Sequence, residues 1–151
     1  MATIVTAATL TVEVAESITL NGVSRNSSTT ASISSIGEIS NRIMSITNST
    51  NGTDIVNIGS GSGAGTFDKT AVKYLRFTNL DDTNFVIIQF TDESTHHWEL
   101  KLEAGKSLII GDTSSIDDQA DIDNFSASAI TKIIGKADTA AVDLEVYIAS
   151  T

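Results

Sequence analysis

Cysteine and proline are both absent from this chain of 151 residues. Without cysteine, neither a disulfide nor a cysteine-ligated zinc ion can hold the fold, and redox chemistry indicates no compartment. Without proline, prolyl isomerisation is excluded as a slow folding step, and the turns depend on Gly, Asn, Asp and Ser. Aromatic residues make up only 5% of the chain. Because neither a disulfide nor a cysteine-ligated zinc ion is possible, packing must supply the stability. No apolar run approaches the roughly 18 residues that a membrane-spanning helix requires.

Basic residues are also scarce. The chain has nine Lys and Arg residues and nineteen Asp and Glu residues, which gives a net charge of -10. Such a chain repels phosphate backbones and anionic lipid surfaces, so we expect no nucleic-acid partner and no membrane partner. Residues 1–10 contain neither a basic segment nor a long apolar segment, and we therefore expect synthesis in the cytoplasm without a secretion signal.

Strand patterns dominate what is present. Leu10, Val12 and Val14 alternate with polar residues, a period of two that predicts a half-buried strand. The dipeptide Asn21-Gly22 suits the positive φ angles of a type I′ turn and predicts a hairpin. Further strands are predicted at 54–58, 72–78, 85–91, 98–102, 108–110 and 141–149.

These strands predict an all-β fold, an antiparallel β-sandwich or jelly roll with short strands and a flexible Gly-rich loop. The four strands between residues 72 and 110 are predicted to form one antiparallel meander. At this length one domain is expected, over residues 9–151, preceded by an N-terminal arm at residues 1–8.

Two segments allow more than one interpretation. Residues 24–35 are mostly Ser, Thr and Asn, which indicates an irregular or edge segment. Between residues 36 and 46, isoleucines spaced three and four apart fit one face of a helix. Because Ile and Ser are poor helix formers, a strand with a bulge is the favoured alternative for this segment.

Several motifs resemble catalytic or ligand sites without meeting their requirements. The run GSGSGAG at Gly59–Gly65 has the wrong glycine spacing for a dinucleotide fingerprint and is followed by a strand, so a surface or contact loop is predicted. Gly105-Lys106-Ser107 imitates the end of a P-loop, but its surroundings indicate a hairpin turn. On a strand, His96 and His97 would point to opposite faces and could not share a metal ion, so a surface pair is expected.

We expect no enzyme activity, no cofactor and no catalytic or metal-binding residue. No serine lies in a G-x-S-x-G elbow, and only the two histidines could act as an imidazole base. The acidic segment 112–124 leaves a calcium site open as an alternative to a solvated loop, although it lacks the glycine and glutamate of an EF-hand. Trp98, the only tryptophan, is expected to pack in the core or between subunits beside Leu100 and Leu102.

Three stretches resemble small structural proteins of tailed bacteriophages, especially marine ones. They are LNGVSRNSS at Leu20–Ser28, KYLRFTNLDDTNFVIIQF at Lys73–Phe90 and LEAGKSLIIGD at Leu102–Asp112. The resemblance implies a virion protein assembled in the host cytoplasm, first of all a capsid decoration or cement protein that stabilises the shell. Its implied partners are the major capsid protein or other virion proteins.

The alternatives are a tail or fibre component and, in another class, a carbohydrate-binding module. A sugar-binding platform usually needs exposed aromatic residues, which are few here. A cement role favours a homotrimer that matches a threefold axis of the shell. The candidate contact residues lie in the arm and in the glycine loop, where extended segments can order against a neighbour: Thr3, Ile4, Val5, Gly59, Gly61, Gly63 and Gly65.

Overall fold

The computed structural model describes residues 4–61, 63, 65–111 and 130–151. These residues contain thirteen strands and no helix, so the all-β prediction is confirmed. The chain divides into two compact units. A ribbon unit holds residues 4–37 with Thr151, and a sandwich unit holds Glu38–Ser150. The predicted division into an arm at 1–8 and one domain at 9–151 stays a prediction.

The ribbon unit contains two antiparallel strand pairs. Its strands are β1 (Ala8–Glu16), β2 (Thr19–Leu20), β3 (Val23–Ser24) and β4 (Ser27–Ile36). β1 pairs with β4, and β2 pairs with β3 across the turn at Asn21 and Gly22, whose φ angles are 52° and 78°. Two positive φ angles are the signature of a type I′ turn, so the predicted hairpin is confirmed. Residues 27–36 form a strand with one neighbour and one register shift near Ser35, which fits the interpretation of residues 24–35 as an irregular or edge segment.

The sandwich unit contains two sheets. Its strands are β5 (Glu38–Ile46), β6 (Thr53–Gly59), β7 (Thr66–Asp68), β8 (Val72–Asn79), β9 (Val86–Asp92), β10 (His97–Leu102), β11 (Ser107–Ile110), β12 (Ile130–Ala137) and β13 (Val142–Ser150). One sheet has the order β10-β9-β12-β6-β7, and the other has the order β11-β8-β13-β5. All pairs are antiparallel except β6 with β7. The segment between residues 36 and 46 therefore lies mainly in a strand and not in a helix.

The two sheets bury their facing sides against each other, as in a β-sandwich. Phe77 of the four-stranded sheet and Phe90 of the five-stranded sheet are both fully buried and meet edge to face, with their ring centroids 6.1 Å apart. Along β13, Val142, Leu144 and Val146 are buried, as their alternation predicts. The jelly-roll form of the prediction stays a prediction.

The meander predicted between residues 72 and 110 is wrong. β9 and β10 do form a hairpin, but β8 and β11 pair with each other in the opposite sheet. The chain therefore crosses between sheets after β8 and again after β10. For the same reason the turn at Gly105 is not a hairpin, although Lys106 N does donate to the Glu103 carbonyl across it at 3.1 Å. Alternation shows that one face of a strand is buried but not which sheet buries it, so the pattern could not distinguish the two arrangements.

Candidate interaction surfaces

The ribbon, which we define as residues 8–36, has one apolar face. Because residues opposite each other in a sheet share a face, Leu10 lies beside Ile33 and Val12 lies beside Ala31. The register shifts between Ala8 and Leu10, where Ser35 has a φ angle of 63°. The other face is polar, and there the Ser28 hydroxyl donates to the Glu13 carboxylate at 2.9 Å. The ribbon is thus amphipathic, as a sheet packed on one side only would be.

The tip of the ribbon exposes three large apolar side chains. Ile18, Leu20 and Val23 are 53%, 58% and 53% exposed. The backbone beneath them is well organised, because Arg25 N donates to the Ile18 carbonyl and Ile18 N donates to the Asn26 side chain. The sequence predicted the hairpin turn but not the exposure of its apolar side chains. The apolar residues that flank Asn21-Gly22 were the available signal.

The apolar face of the ribbon is also partly exposed to solvent. Leu10, Val12 and Ile33 are half-buried, and Val14 is 43% exposed. A hairpin of two strands is at best marginally stable in water unless a third strand or another surface covers its apolar side. Charge does not oppose such cover, since residues 4–37 carry only Glu13, Glu16 and Arg25. This combination is typical of a surface that binds another protein.

The predicted contact residues of the arm lie next to the ribbon. Thr3 lies outside the described residues. Ile4 and Val5 are 84% and 70% exposed and precede β1, and residues 4–7 belong to no strand. Their exposure is compatible with the predicted contact role, which stays a prediction.

The predicted contact glycines lie in the sandwich unit and connect two parallel strands. β6 ends at Gly59, and two residues earlier Asn57 pairs with Thr66 of β7. Gly63 and Thr66 exchange backbone hydrogen bonds of 3.1 and 3.0 Å across a tight turn in which Gly65 has a φ angle of 78°. A β-carbon on Gly59 would come within 3.2 Å of the Thr66 side chain. Gly59 and Gly65 therefore serve close approach and positive φ, which only glycine meets without strain.

Gly63 and Gly65 also line a groove of about 450 Å³ together with Thr66, Phe67 and residues 38–42 of β5. Gly59 and Gly61 do not line it. The candidate residues Ile4 and Val5 belong to the ribbon unit, so the predicted contact set is divided between the two units.

A smaller cleft of about 190 Å³ lies on the outer side of the five-stranded sheet, and its floor is polar. There the Gln89 amide donates to the Glu99 carboxylate at 2.6 Å, and the other polar lining residues are Lys136, Thr50 and Asn51. The cleft contains neither histidine nor serine, and Ile87 and Ile134 are its large apolar residues. The prediction of no enzyme activity stays a prediction.

Asp92 and His96 stabilise the turn between β9 and β10. The carboxylate of Asp92, which is buried, accepts the backbone N–H groups of Ser94 and His96 at 2.8 Å each, and its second oxygen lies 3.1 Å from Nδ1 of His96. No three metal-binding side chains converge anywhere among the residues that the structure describes. The acidic segment 112–124, a predicted alternative ion site, lies outside those residues.

Two turn carboxylates have shifted pKa values. The pKa of Asp81 is lowered because its carboxylate accepts the backbone N–H groups of Asn84 at 2.6 Å and Thr83 at 2.8 Å. The pKa of Asp68 is lowered because the Thr70 backbone N–H and hydroxyl donate to it at 2.8 Å each. Hydrogen bonds to the ionised form explain both shifts.

Trp98 lies on β10 opposite Phe90, with ring centroids 5.2 Å apart, and remains 42% exposed. Its strand neighbour Leu102 is buried and Leu100 is half-buried. Trp98 therefore packs against the rim of the core while keeping one side accessible.

Comparison with protein-family models found no matching family. Neither the curated proteins nor the solved structures contained a significant match. None of the described residues belongs to a helix long and apolar enough to cross a membrane. What the molecule does must therefore be argued from its own surfaces.

Proposed function

We propose that the chain is a structural subunit of a larger particle and that its ribbon packs on a neighbouring protein. More specifically, we propose that it is a capsid decoration protein of a tailed bacteriophage, bound to the major capsid protein or another virion protein. The observation that supports it best is a two-stranded ribbon with an apolar face and an apolar tip, Ile18, Leu20 and Val23, that stays exposed.

The physical basis is the burial of this apolar surface. Removing it from water yields about 25 cal/mol per Å². It would also supply the covering surface that a two-stranded ribbon lacks. A subunit whose sandwich rests on one capsid protein while its ribbon reaches the next would oppose their separation, because both contacts would have to break together.

The surface charge supports a protein partner rather than a nucleic acid. Most of the acidic residues belong to the sandwich unit, where Glu38–Ser150 carries seventeen of the nineteen acidic side chains. The ribbon has almost no net charge, with two acidic residues and one basic residue. Packing of its apolar face therefore meets little electrostatic repulsion from an acidic or neutral partner.

The proposal is tested by locating the chain on particles from the culture that produces it. Gold-labelled antibodies against the purified protein should mark the capsid surface in electron micrographs. Label confined to tails would replace the decoration role with the tail or fibre alternative. Particles without label, and without the chain by mass spectrometry, would refute a virion role.

Variants of the ribbon test the contact itself. Leu20→Lys with Val23→Lys should lower the occupancy on particles at least tenfold, because two ammonium groups would replace the apolar tip. Thr11→Lys with Thr30→Lys is the matched control, since both threonines are exposed on the polar face and the added charge is equal. Equal occupancy of the two variants would show that the tip is not the contact.

A further inference from the structure

The four edges of the two sandwich sheets are not equally protected against pairing with another strand. β7 has three residues and β11 has four, and β10 carries Glu99 and Lys101. Short or charged edge strands discourage association between sheets. β5 differs from all three. It has nine residues, contains no lysine, and pairs without any register shift with β13, its one neighbour in the sheet order of the described residues.

β5 also exposes large apolar side chains. Ile46 is fully buried and Met44 packs against the core, so the alternation of the strand turns its odd-numbered residues outward. Two of these, Ile39 and Ile43, are 54% and 64% exposed. A long, regular and apolar edge of this kind is a template for a further strand.

The one charged side chain in the middle of β5 leaves the edge accessible. Arg42 lies on the inward side of the strand, where its guanidinium donates to the backbone carbonyl of Ile55 in β6. The groove of about 450 Å³ beside residues 38–42 provides space for the inward-facing side chains of an added strand.

We propose that β5 pairs antiparallel with β5 of a second copy of this chain, across a two-fold axis that passes beside Asn41. The two four-stranded sheets then form one continuous sheet of eight strands. Such a contact is isologous, because the same surface serves both copies, and main-chain hydrogen bonds join the subunits. The inference does not depend on the virion role.

The register follows from the side chains. With Asn41 at the axis, Ile39 lies opposite the partner's Ile43 and Ile43 lies opposite the partner's Ile39, so four exposed isoleucines become two apolar cross-strand pairs. An axis at Arg42 would bring two like charges together, and an axis at Ser40 would place Ile39 opposite the partner's Asn41. An axis that passes between two residues would place outward-facing residues opposite inward-facing ones.

Charge at the β5 edge does not oppose a second copy as the occupant. β5 carries one negative residue, Glu38, and one positive residue, Arg42, so two β5 edges meet without net repulsion although each chain carries a charge of -10. Repulsion between the remaining surfaces is screened by salt. The dimer should therefore strengthen as the salt concentration rises, whereas an association driven by opposite charges would weaken.

Light scattering of the full-length protein over a dilution series tests the association. We expect a mass of twice 15.9 kDa, which falls to 15.9 kDa on dilution. The variant Ile39→Lys with Ile43→Lys should be monomeric at every concentration, with an unchanged circular dichroism spectrum. Ile109→Lys is the control, since Ile109 is 43% exposed on β11 at the opposite edge of the same sheet, and it should remain dimeric.

Single cysteines test the register, because the natural chain has none. Opposed residues in antiparallel strands have Cα atoms about 4.5–5.5 Å apart, which lies within the range of a disulfide. Asn41→Cys should therefore form a disulfide between two copies under mild oxidation. Ser45→Cys on the same face should not, because the proposed register places it beyond the start of the partner's β5.

Three results would overturn the inference. They are a mass of 15.9 kDa at all concentrations, an oligomer that the Ile39 and Ile43 substitutions leave intact, and a crosslink at residue 45 but not at residue 41. A mass of three times 15.9 kDa, the trimer that the cement role favours, would likewise count against the two-fold pair. None of these results bears on where the chain is located on particles, so this inference and the proposed function fail separately.

Discussion

Asn79 Nδ2 donates a hydrogen bond of 3.1 Å to the backbone carbonyl of Leu102. Asn79 ends β8 in the four-stranded sheet, and Leu102 ends β10 in the five-stranded sheet. The same amide nitrogen donates to the Asn84 carbonyl at 2.9 Å, and the side-chain oxygen of Asn79 accepts the Asp81 N–H at 3.0 Å. One fully buried side chain thus ties together both places where the chain crosses between the sheets.

We expect Asn79→Ala to lower the free energy of unfolding by about 2–3 kcal/mol, because it leaves the Leu102 and Asn84 carbonyls unsatisfied near the core. Urea unfolding measures this loss. Asn48→Ala is the matched control, since Asn48 is exposed and donates to the Asp138 carbonyl at 2.9 Å. A loss at Asn79 no greater than the loss at Asn48 would contradict the role of the buried amide.

Gly135 in β12 leaves little space for a side chain. A β-carbon there would lie 3.0 Å from the Ile55 side chain and 3.1 Å from that of Ile46. Gly135→Ala should destabilise the fold by about 1–3 kcal/mol through overpacking, as measured by urea unfolding. Gly61→Ala, with no atom within 4 Å of its added carbon, should change stability little. Equal stability of the two variants would rule out crowding at Gly135.

Acid should weaken the turn between β8 and β9. Backbone hydrogen bonds lower the pKa of Asp81 below its usual 3.8. A carboxylate with a lowered pKa in the folded state stabilises that state above its unfolded pKa, and the contribution disappears as the pH falls through the folded pKa.

The variant Asp81→Ala should therefore be less stable than the natural chain at pH 7, and the difference should shrink below the usual pKa. Unfolding midpoints measured from neutral to acidic pH test this. Asp82→Ala is the control, because the Asp82 carboxylate accepts the Thr83 hydroxyl at 2.9 Å. This substitution should lower the free energy of unfolding less at neutral pH. A difference for Asp81→Ala that does not vary with pH would argue against the predicted linkage.

The N-terminal segment can be tested by deletion. Removing residues 2–8 eliminates the exposed Ile4 and Val5 while sparing the strand pairs from Leu10 onward. We expect weaker incorporation into particles and an unchanged circular dichroism spectrum. Occupancy equal to that of the full chain would remove the arm from the contact surface.

Local patterns in the sequence predicted much of the secondary structure. Alternation located β13, and Asn21-Gly22 located the hairpin turn, because both depend on residues that are close in the chain. The segment from residue 36 to 46 was ambiguous, since its isoleucine spacing fits a helix or a strand. Its pairing with β13, about a hundred residues away, resolved the ambiguity in favour of a strand.

The candidate surfaces were less predictable. The flexibility of the glycine loop stays a prediction, and no pattern in the sequence indicated that Gly59 and Gly65 would serve a close approach and a positive φ beside two parallel strands. Ile39 and Ile43 were identified as apolar without any indication that they would stay exposed on an edge. Exposure of an apolar residue depends on which strand lies beside it, and no local pattern contains that information.

The sequence alone determined that this chain would be a β protein without disulfides, because side-chain periodicity and the absence of cysteine are properties of short stretches and of composition. Only the tertiary structure decided which strands share a sheet, that β5 has one neighbouring strand among the described residues, and which apolar residues remain in contact with water. Those outcomes depend on pairings between distant residues. Their energy comes from burial that exists only once both sheets are assembled.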